Sequence, residues 1–171
     1  ANTSIIDEDY ASLLGNIKLT DGAIKVTDKT AQQGEIEWII PEVEAAPGEK
    51  VTMNVIVKGD ALAVSGFEGG ISYDNAGNKI AYSALTSGDA YGAETVVNGL
   101  DKLAFATPSG FNKVAADGST IFTIEFTVAA DCAEGTYPVK WATSSIIDED
   151  YNSLLNNVKL TNGAIKVTKN E

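Results

Sequence analysis

The sequence lacks histidine and arginine and contains a single cysteine, Cys132. Without histidine, a Ser/His or Cys/His catalytic pair is excluded, and the usual His/Cys zinc sites are excluded by the same counts. A lone cysteine forms no disulfide within the chain. In the turn-like stretch AADCAEGTY we interpret Cys132 as a small structural residue rather than a reactive thiol. These absences predict a protein that is not an enzyme.

Positive charge and long apolar runs are also scarce. The 12 lysines face 24 acidic residues, which gives a net charge of −12. Such a charge repels phosphate backbones, and no basic patch with interleaved aromatics appears, so nucleic-acid binding is excluded. No stretch approaches the roughly 18 apolar residues that span a bilayer. No charged and then apolar leader opens the sequence, and we therefore expect a mature or internal fragment.

What the sequence does contain is alternation. Its 171 residues are 44% apolar, about enough for one domain with a core. Period-two segments separated by turn residues predict an antiparallel β-sandwich of about nine strands, close to a jelly roll. The predicted strands are residues 35–40, 51–57, 65–73, 78–85, 94–98, 102–106, 119–128, 136–142 and 162–167. Alternate residues such as Val55 and Phe126 are predicted to point inward.

One segment, DEDYNSLLNN (residues 148–157), indicates a helix. Its first turn carries acids that suit the helix dipole, and Tyr151, Leu154 and Leu155 form an i, i+3, i+4 stripe. We predict a short helix before the last strand.

The same segment has a weak calcium pattern. Asp148, Asp150 and Asn152 match positions one, three and five of an EF-hand loop, but Ser153 and Lys159 replace its required glycine and glutamate. A solvated helix start is therefore favoured, and no metal or cofactor is predicted for this chain.

Two further chemistries are weighed and disfavoured. Glu68 and Glu125 are the candidates for paired glycosidase carboxylates, yet each is predicted to point outward from its own strand. The candidate aromatics for a sugar-binding platform, Trp38 and Trp141 among them, share faces with core residues.

The strand at residues 65–73 is unusual because its outward side is nearly bare. Gly66, Glu68, Gly70 and Ser72 would form that side, at a cost in β-propensity. Either a large partner packs flat against it, or the glycines mark a bulge. The residues leave both open.

Taken in order, EIEWIIPEVEAAPGEKVTMNVIVKG, SGFEGGISYD, KLAFATPSG, DGSTIFTIEFTVAADCAEGTYPVKW and NGAIKVT resemble a cohesin module of a bacterial cellulosome scaffoldin. The resemblance covers residues 35–168. It implies a nine-stranded, non-catalytic jelly roll that is secreted or at the cell surface. It also implies capture of a dockerin, a paired-helix module that carries the calcium itself.

The family's docking sheet has the strand order eight, three, six, five, which maps here onto residues 136–142, 65–73, 102–106 and 94–98. The acidic docking residue maps onto Glu68, with Lys102 and Lys140 expected on either side of it. A bulky residue at Gly70 is expected to weaken capture but leave folding intact. The docking residues implied are Gly66, Glu68, Gly70, Ser72, Val97, Asn98, Lys102, Ala104, Ala106, Thr107 and Lys140.

Two other functions stay open at this point. A carbohydrate-binding module shares the jelly-roll scaffold, and cellulose pull-down would separate it from a dockerin binder. A structural or adhesive surface repeat without a specific ligand is what remains if both assays are negative.

The sequence also contains a duplication. Residues 4–27 (the first copy) align without a gap to residues 145–168 (the second copy), and each begins with SIIDEDY. Residues 1–27, which contain the first copy, are interpreted as the tail of a preceding tandem module, with residues 28–34 as a linker and residues 169–171 as a short tail. We expect the first copy to be poorly ordered or borrowed, with weak self-association through residues 22–26, and the binding surface to lie elsewhere, around Glu68.

Overall fold

The computed structural model describes residues 35–59, 62–92, 95–107, 113–143 and 145–169. Residues 1–34, which contain the first copy and the predicted linker, lie outside these ranges. The strands are β1 (Ile36–Ile39), β2 (Glu42–Ala45), β3 (Lys50–Lys58), β4 (Ala63–Val64), β5 (Gly66–Gly69), β6 (Ile71–Tyr73), β7 (Ile80–Ser87), β8 (Val96–Val97), β9 (Leu103–Ala106), β10 (Lys113–Val114), β11 (Thr120–Val128), β12 (Gly135–Trp141), β13 (Ser145–Ile147), β14 (Val158–Thr161) and β15 (Gly163–Val167).

These strands form two layers. The first layer is a sheet with the order β14-β1-β3-β11-β7, and the second consists of the sheets β2-β15-β12-β6 and β13-β5-β9-β8. A short β10-β4 ribbon completes the set. The predicted all-β sandwich is therefore confirmed.

The two long central strands show why the sequence folds this way. In β3 the burial alternates residue by residue, and Met53 and Val55 are fully buried. β11 pairs antiparallel with β3 in a register that places Ile124 opposite Met53. Side chains at every second position therefore meet in one core between the layers. The inward positions predicted for these strands are confirmed.

The second layer is one bent surface rather than two separate sheets. Gly70 and Ala142 exchange two backbone hydrogen bonds, of 3.0 and 2.8 Å, which join the β6–β12 ladder to the β5–β13 ladder. Beyond that pair, Glu68 is opposite Ser145. Two residue steps on one strand therefore match three on the other, as in a β-bulge, which turns the strand locally.

The helix predicted at residues 148–157 is wrong. The Oδ1 atom of Asp148 accepts the backbone N–H groups of Asp150 and Asn152, both at 2.9 Å, a side-chain turn that competes with a helix. Tyr151 has a φ of 62°, which a right-handed helix excludes. The Leu154 N–H instead donates to the Ile146 carbonyl at 2.8 Å. Thus the chain folds back on β13.

Other expectations meet the structure more simply. Cys132 is buried, and its N–H closes a turn on the Ala129 carbonyl at 3.0 Å. Of the strand predicted at residues 94–98, the structure shows Val96–Val97 as a strand. The count of nine strands remains a prediction, because some of the short strands follow one another directly and can be counted as one longer, bent strand. Among the described residues, no helix is long and apolar enough to cross a membrane.

Candidate partner-docking face

The outward side of β13, β5, β9 and β8 is the candidate docking face. Its central row crosses all four strands: Glu68 lies between Ser145 and Ala104, and Ala104 is opposite Val96. Glu68 is exposed, and Val96 is 67% exposed. Small side chains on both sides of Glu68 leave its carboxylate on an otherwise low surface.

The next row along the strands is apolar. Gly66 lies opposite Ala106 and opposite Ile147. A Cβ at Gly66 would lie 3.2 Å from the Ile147 Cγ1 atom, which means that the Ile147 side chain covers the glycine. The nearly bare strand predicted from the sequence is therefore partly filled by a neighbour.

Aromatic packing supports this face from below. Phe67 and Phe105, on the inner side of β5 and β9, stack with ring centroids 5.5 Å apart. Both rings lie near Trp38 of the opposite layer, at 5.6 and 6.3 Å. The Trp38 indole N–H donates to the Tyr91 hydroxyl at 2.9 Å, and burial raises the pKa of Tyr91. The face therefore lies directly over a tightly packed aromatic core.

A shallow groove of about 350 Å³ runs along the face. Glu68, Ala104 and Ala106 line it on one side. Ile147 and Tyr151, at the end of β13 and beyond it, line it on the other. Tyr151 is 83% exposed.

The groove is acidic. Glu68, Asp148 and Glu149 line it, and no lysine is among its described lining residues. Carboxylates gathered on a low-dielectric surface attract a cationic partner. The groove therefore suits a partner that presents lysine or arginine together with small apolar side chains.

The structure changes the interpretation of two predicted glycines. Gly70 is buried, and a Cβ there would lie 2.3 Å from the carbonyl oxygen of Asp101. The expectation that a bulky residue at Gly70 leaves folding intact is therefore wrong. Gly66 is buried as well, beneath Ile147. Neither glycine offers a free surface.

Of the two lysines predicted to flank Glu68, Lys140 lies apart from it. Lys140 pairs with Ser72, four residues from Glu68 along the strand, because the second layer continues past the bulge. Lys102 is exposed and precedes β9, whereas Ala104 is the direct neighbour of Glu68 on this side. The register therefore separates Lys140 from Glu68, and the described residues that line the groove include carboxylates but no lysine.

The remaining predicted residues differ in their exposure. Val97 is opposite the buried Leu103 and is 36% exposed, whereas Val96, opposite Ala104, is 67% exposed. Thr107 is 5% exposed, and its hydroxyl donates to the Ser65 carbonyl at 3.3 Å. It therefore fixes the end of β9. Ser72, Asn98 and Ala106 are exposed.

Sequence reasoning missed one wall of the groove. Ser145, Ile147, Glu149 and Tyr151 belong to the second copy of SIIDEDY. The duplication had marked these residues, but the helix interpretation turned Tyr151 towards the core. The expectation that SIIDEDY lies away from the face is thus wrong, since its second copy borders Glu68 directly.

The described residues of the face do not gather metal ligands. Among the described residues, no group of three or more Cys, Asp or Glu side chains is placed to hold an ion. Asp148 instead binds its own turn, where the Asn152 side-chain amide donates to its Oδ2 atom at 3.0 Å. The Asp148 carboxylate is therefore engaged within its own turn.

Two β layers with one open four-stranded surface define a jelly-roll interaction module, and the comparisons agree. The family model of the cohesin domain matches residues 36–167. The chain therefore belongs to the cohesin family. No curated protein matches it.

Solved structures share this fold. The Coh-OlpA–Doc918 complex, a type I cohesin–dockerin complex from Clostridium thermocellum, is 23% identical with a TM-score of 0.66, over 79% of this chain and 100% of that one. The seventh ScaB type I cohesin of Pseudobacteroides cellulosolvens is 16% identical, with a TM-score of 0.64 over 80% and 94%. A non-cellulosomal cohesin of the archaeon Archaeoglobus fulgidus is 20% identical, with a TM-score of 0.62 over 80% and 93%.

Proposed function

We propose that this cohesin module captures a dockerin through the face formed by β13, β5, β9 and β8. The observation that carries the proposal is the exposed carboxylate of Glu68 between Ser145 and Ala104, beside an acidic groove. Similar structures include complexes with dockerins, among them one with a Cel5 dockerin.

The face suits a helical partner. Ser145 and Ala104 are small enough to let a helix backbone approach closely, and Glu68 offers a charge-assisted hydrogen bond to a cationic side chain. Val96, Ile147 and Tyr151 surround this centre with apolar surface, a composition typical of the core of a protein interface. The calcium needed for binding is assigned to the dockerin.

Calorimetric titration of the full chain against a panel of dockerins tests the proposal. Glu68→Gln keeps the size of the side chain and removes its charge, and we expect at least about a tenfold loss of affinity, since hydrogen bonds to charged groups contribute about 1.5–3 kcal/mol. Glu125→Gln is the matched control, because it removes one charge from the first layer. Equal affinities for both variants would refute the placement of the site.

Chelation provides a second arm of the same titration. Removing calcium should abolish capture, while the melting temperature of the cohesin alone stays unchanged. A melting temperature that falls on chelation would instead place a metal site in this chain.

We further propose a non-catalytic role on a scaffold protein outside the cell or at its surface. A carbohydrate-binding role is less well supported, because a flat platform of exposed rings is needed for sugar stacking. Among the described residues, Tyr151 is the only exposed aromatic side chain.

A further inference from the structure

The second copy of the duplicated segment is integral to the sandwich. Its strand β14 pairs in parallel with β1, β15 lies between β2 and β12, and β13 pairs with β5. One continuous segment therefore contributes strands to both layers. The place that it occupies (the slot) is bordered by strands from the rest of the chain.

The first copy carries the same apolar residues that are buried in the second. Of the buried positions, five are identical and one differs, Val158 being replaced by Ile17. This change adds a single methylene. The buried residues of the second copy and their counterparts are Ile146 and Ile5, Leu154 and Leu13, Val158 and Ile17, Ala164 and Ala23, Ile165 and Ile24, and Val167 and Val26.

The most demanding position in the slot is Gly163. A Cβ there would lie 2.1 Å from the carbonyl oxygen of Pro41, which excludes every side chain. The first copy has Gly22 at this position. Its backbone would therefore meet the same tight contact without a clash.

The polar groups that hold the second copy in the slot also recur in the first. Glu37 accepts from the Thr161 hydroxyl and pairs with Lys159 at 2.9 Å, and the first copy has threonine and lysine at the corresponding positions. The backbone N–H of Trp141 donates to the Oδ1 atom of Asn162 at 2.9 Å. Asp21, the counterpart of Asn162, would retain this acceptor. The exposed hydrogen bond from the Asn152 amide has no equivalent, because alanine is the counterpart of Asn152.

We propose that the first copy of one molecule replaces the second copy in another molecule of this chain, by strand exchange. The interactions before and after the exchange are nearly identical, so the main cost is the entropy of association. The exchanged species should therefore increase with protein concentration.

Exchange within one molecule is disfavoured by the linker. In the slot, β15 ends beside Ala45, whereas the linker must deliver the chain to Ile36, up to about 30 Å of extended strand away. The ten steps from Val26 to Ile36 reach at most about 33–36 Å. At that upper bound the linker would need to be almost fully extended, which favours exchange between molecules.

The exchange has a consequence for the docking face, and this part rests on the proposed function. The groove wall made by Ile147, Glu149 and Tyr151 would be replaced by identical residues of the neighbouring molecule. An exchanged dimer would keep two complete faces, each shared between molecules.

Disulfide trapping tests the exchange without any dockerin, so its failure is distinguishable from failure of the proposed function. Thr136 and Lys166 are directly opposite on β12 and β15, within the usual Cα distance for a disulfide. In full chains with Cys132→Ala, the pair Thr136→Cys and Lys25→Cys closes only if Lys25 takes the place of Lys166. Thr136→Cys with Lys166→Cys is the positive control.

We expect a disulfide-linked dimer that increases with protein concentration. The pair Lys25→Cys and Thr52→Cys, on the opposite layer, reports random collision and should remain at background. A linkage confined to monomers would overturn exchange between molecules, and no linkage above background would overturn exchange altogether.

Matched core variants provide a second measurement. Leu154→Ala leaves a cavity when the second copy fills the slot, and it leaves the first copy unchanged. While the dimer is a minor species, its cross-linked fraction should therefore rise by about tenfold or more. Adding Leu13→Ala weakens both copies alike and should return the fraction to its original level. An unchanged dimer fraction in Leu154→Ala would contradict the proposal.

Discussion

The hydrogen bond beneath the docking face gives a sharp test of how the core is held together. The Trp38 indole N–H donates to the Tyr91 hydroxyl, and the two residues are 0% and 3% exposed. Tyr91→Phe removes the acceptor and keeps the ring, which stacks on Phe105 with centroids 5.4 Å apart. The substitution therefore leaves a buried donor without this partner and leaves most of the packing in place.

The expected loss follows from that unpaired donor. A buried, unsatisfied N–H costs about 1–3 kcal/mol, more than the net contribution of an ordinary hydrogen bond. For a domain of this size, each kcal/mol lowers the melting temperature by about 4 °C. Tyr151→Phe, at an exposed ring, should leave the free energy of unfolding unchanged.

A double-mutant cycle by urea unfolding, followed by circular dichroism, isolates the cause. With Trp38→Phe already in place, the Tyr91 hydroxyl loses its indole donor. We therefore expect Tyr91→Phe to be neutral or stabilising in that background. If Tyr91→Phe costs the same free energy in both backgrounds, the hydrogen bond is not the reason for the loss, and the reasoning fails.

Two further predictions concern the other end of the sandwich. Gly163→Ala places a Cβ within 2.1 Å of the Pro41 carbonyl oxygen and should prevent stable folding. Gly135→Ala should be mild, because the nearest Tyr137 ring atoms are 3.5 Å away. Thermal unfolding of the two variants checks this difference. The Thr161 hydroxyl and then Lys159 lower the pKa of Glu37, so its contribution to stability is present above the unfolded pKa and is lost as the pH falls through the folded pKa. Glu37→Gln should therefore lose less stability than the parent chain between neutral and acidic pH, and parallel pH profiles would contradict this.

The sequence predicted the layers well, because alternation is a local property. Val55 and Phe126 are buried where period two places them, since the pleat of a strand leaves no other choice once one face is covered. The same reasoning located β5 and the outward direction of Glu68. It required no knowledge of neighbouring strands.

The predictions failed where distant segments or side-chain turns determine the local structure. Tyr151 and Leu154 are spaced like a helix stripe, but the Asp148 side chain takes the backbone donors that a helix would use. Lys140 was placed beside Glu68 because strand order alone does not give register, and here the register assigns it to Ser72. Gly70 looked like open surface because its neighbour, the Asp101 backbone, comes from another part of the chain.

The pairing of β1 with β14 also has a consequence for the order of events during synthesis. Ile36 and Val158 are partners, and 158 − 36 = 122 residues separate them. At roughly 5–20 residues per second, about 6–24 s pass between the synthesis of β1 and the synthesis of its partner strand. The first copy, with nearly the same strand sequence, has already been synthesised by then. In a nascent chain, a near-duplicate of β14 is therefore present before β14 itself has been synthesised. The wall of the docking groove is the last part of the face to be synthesised.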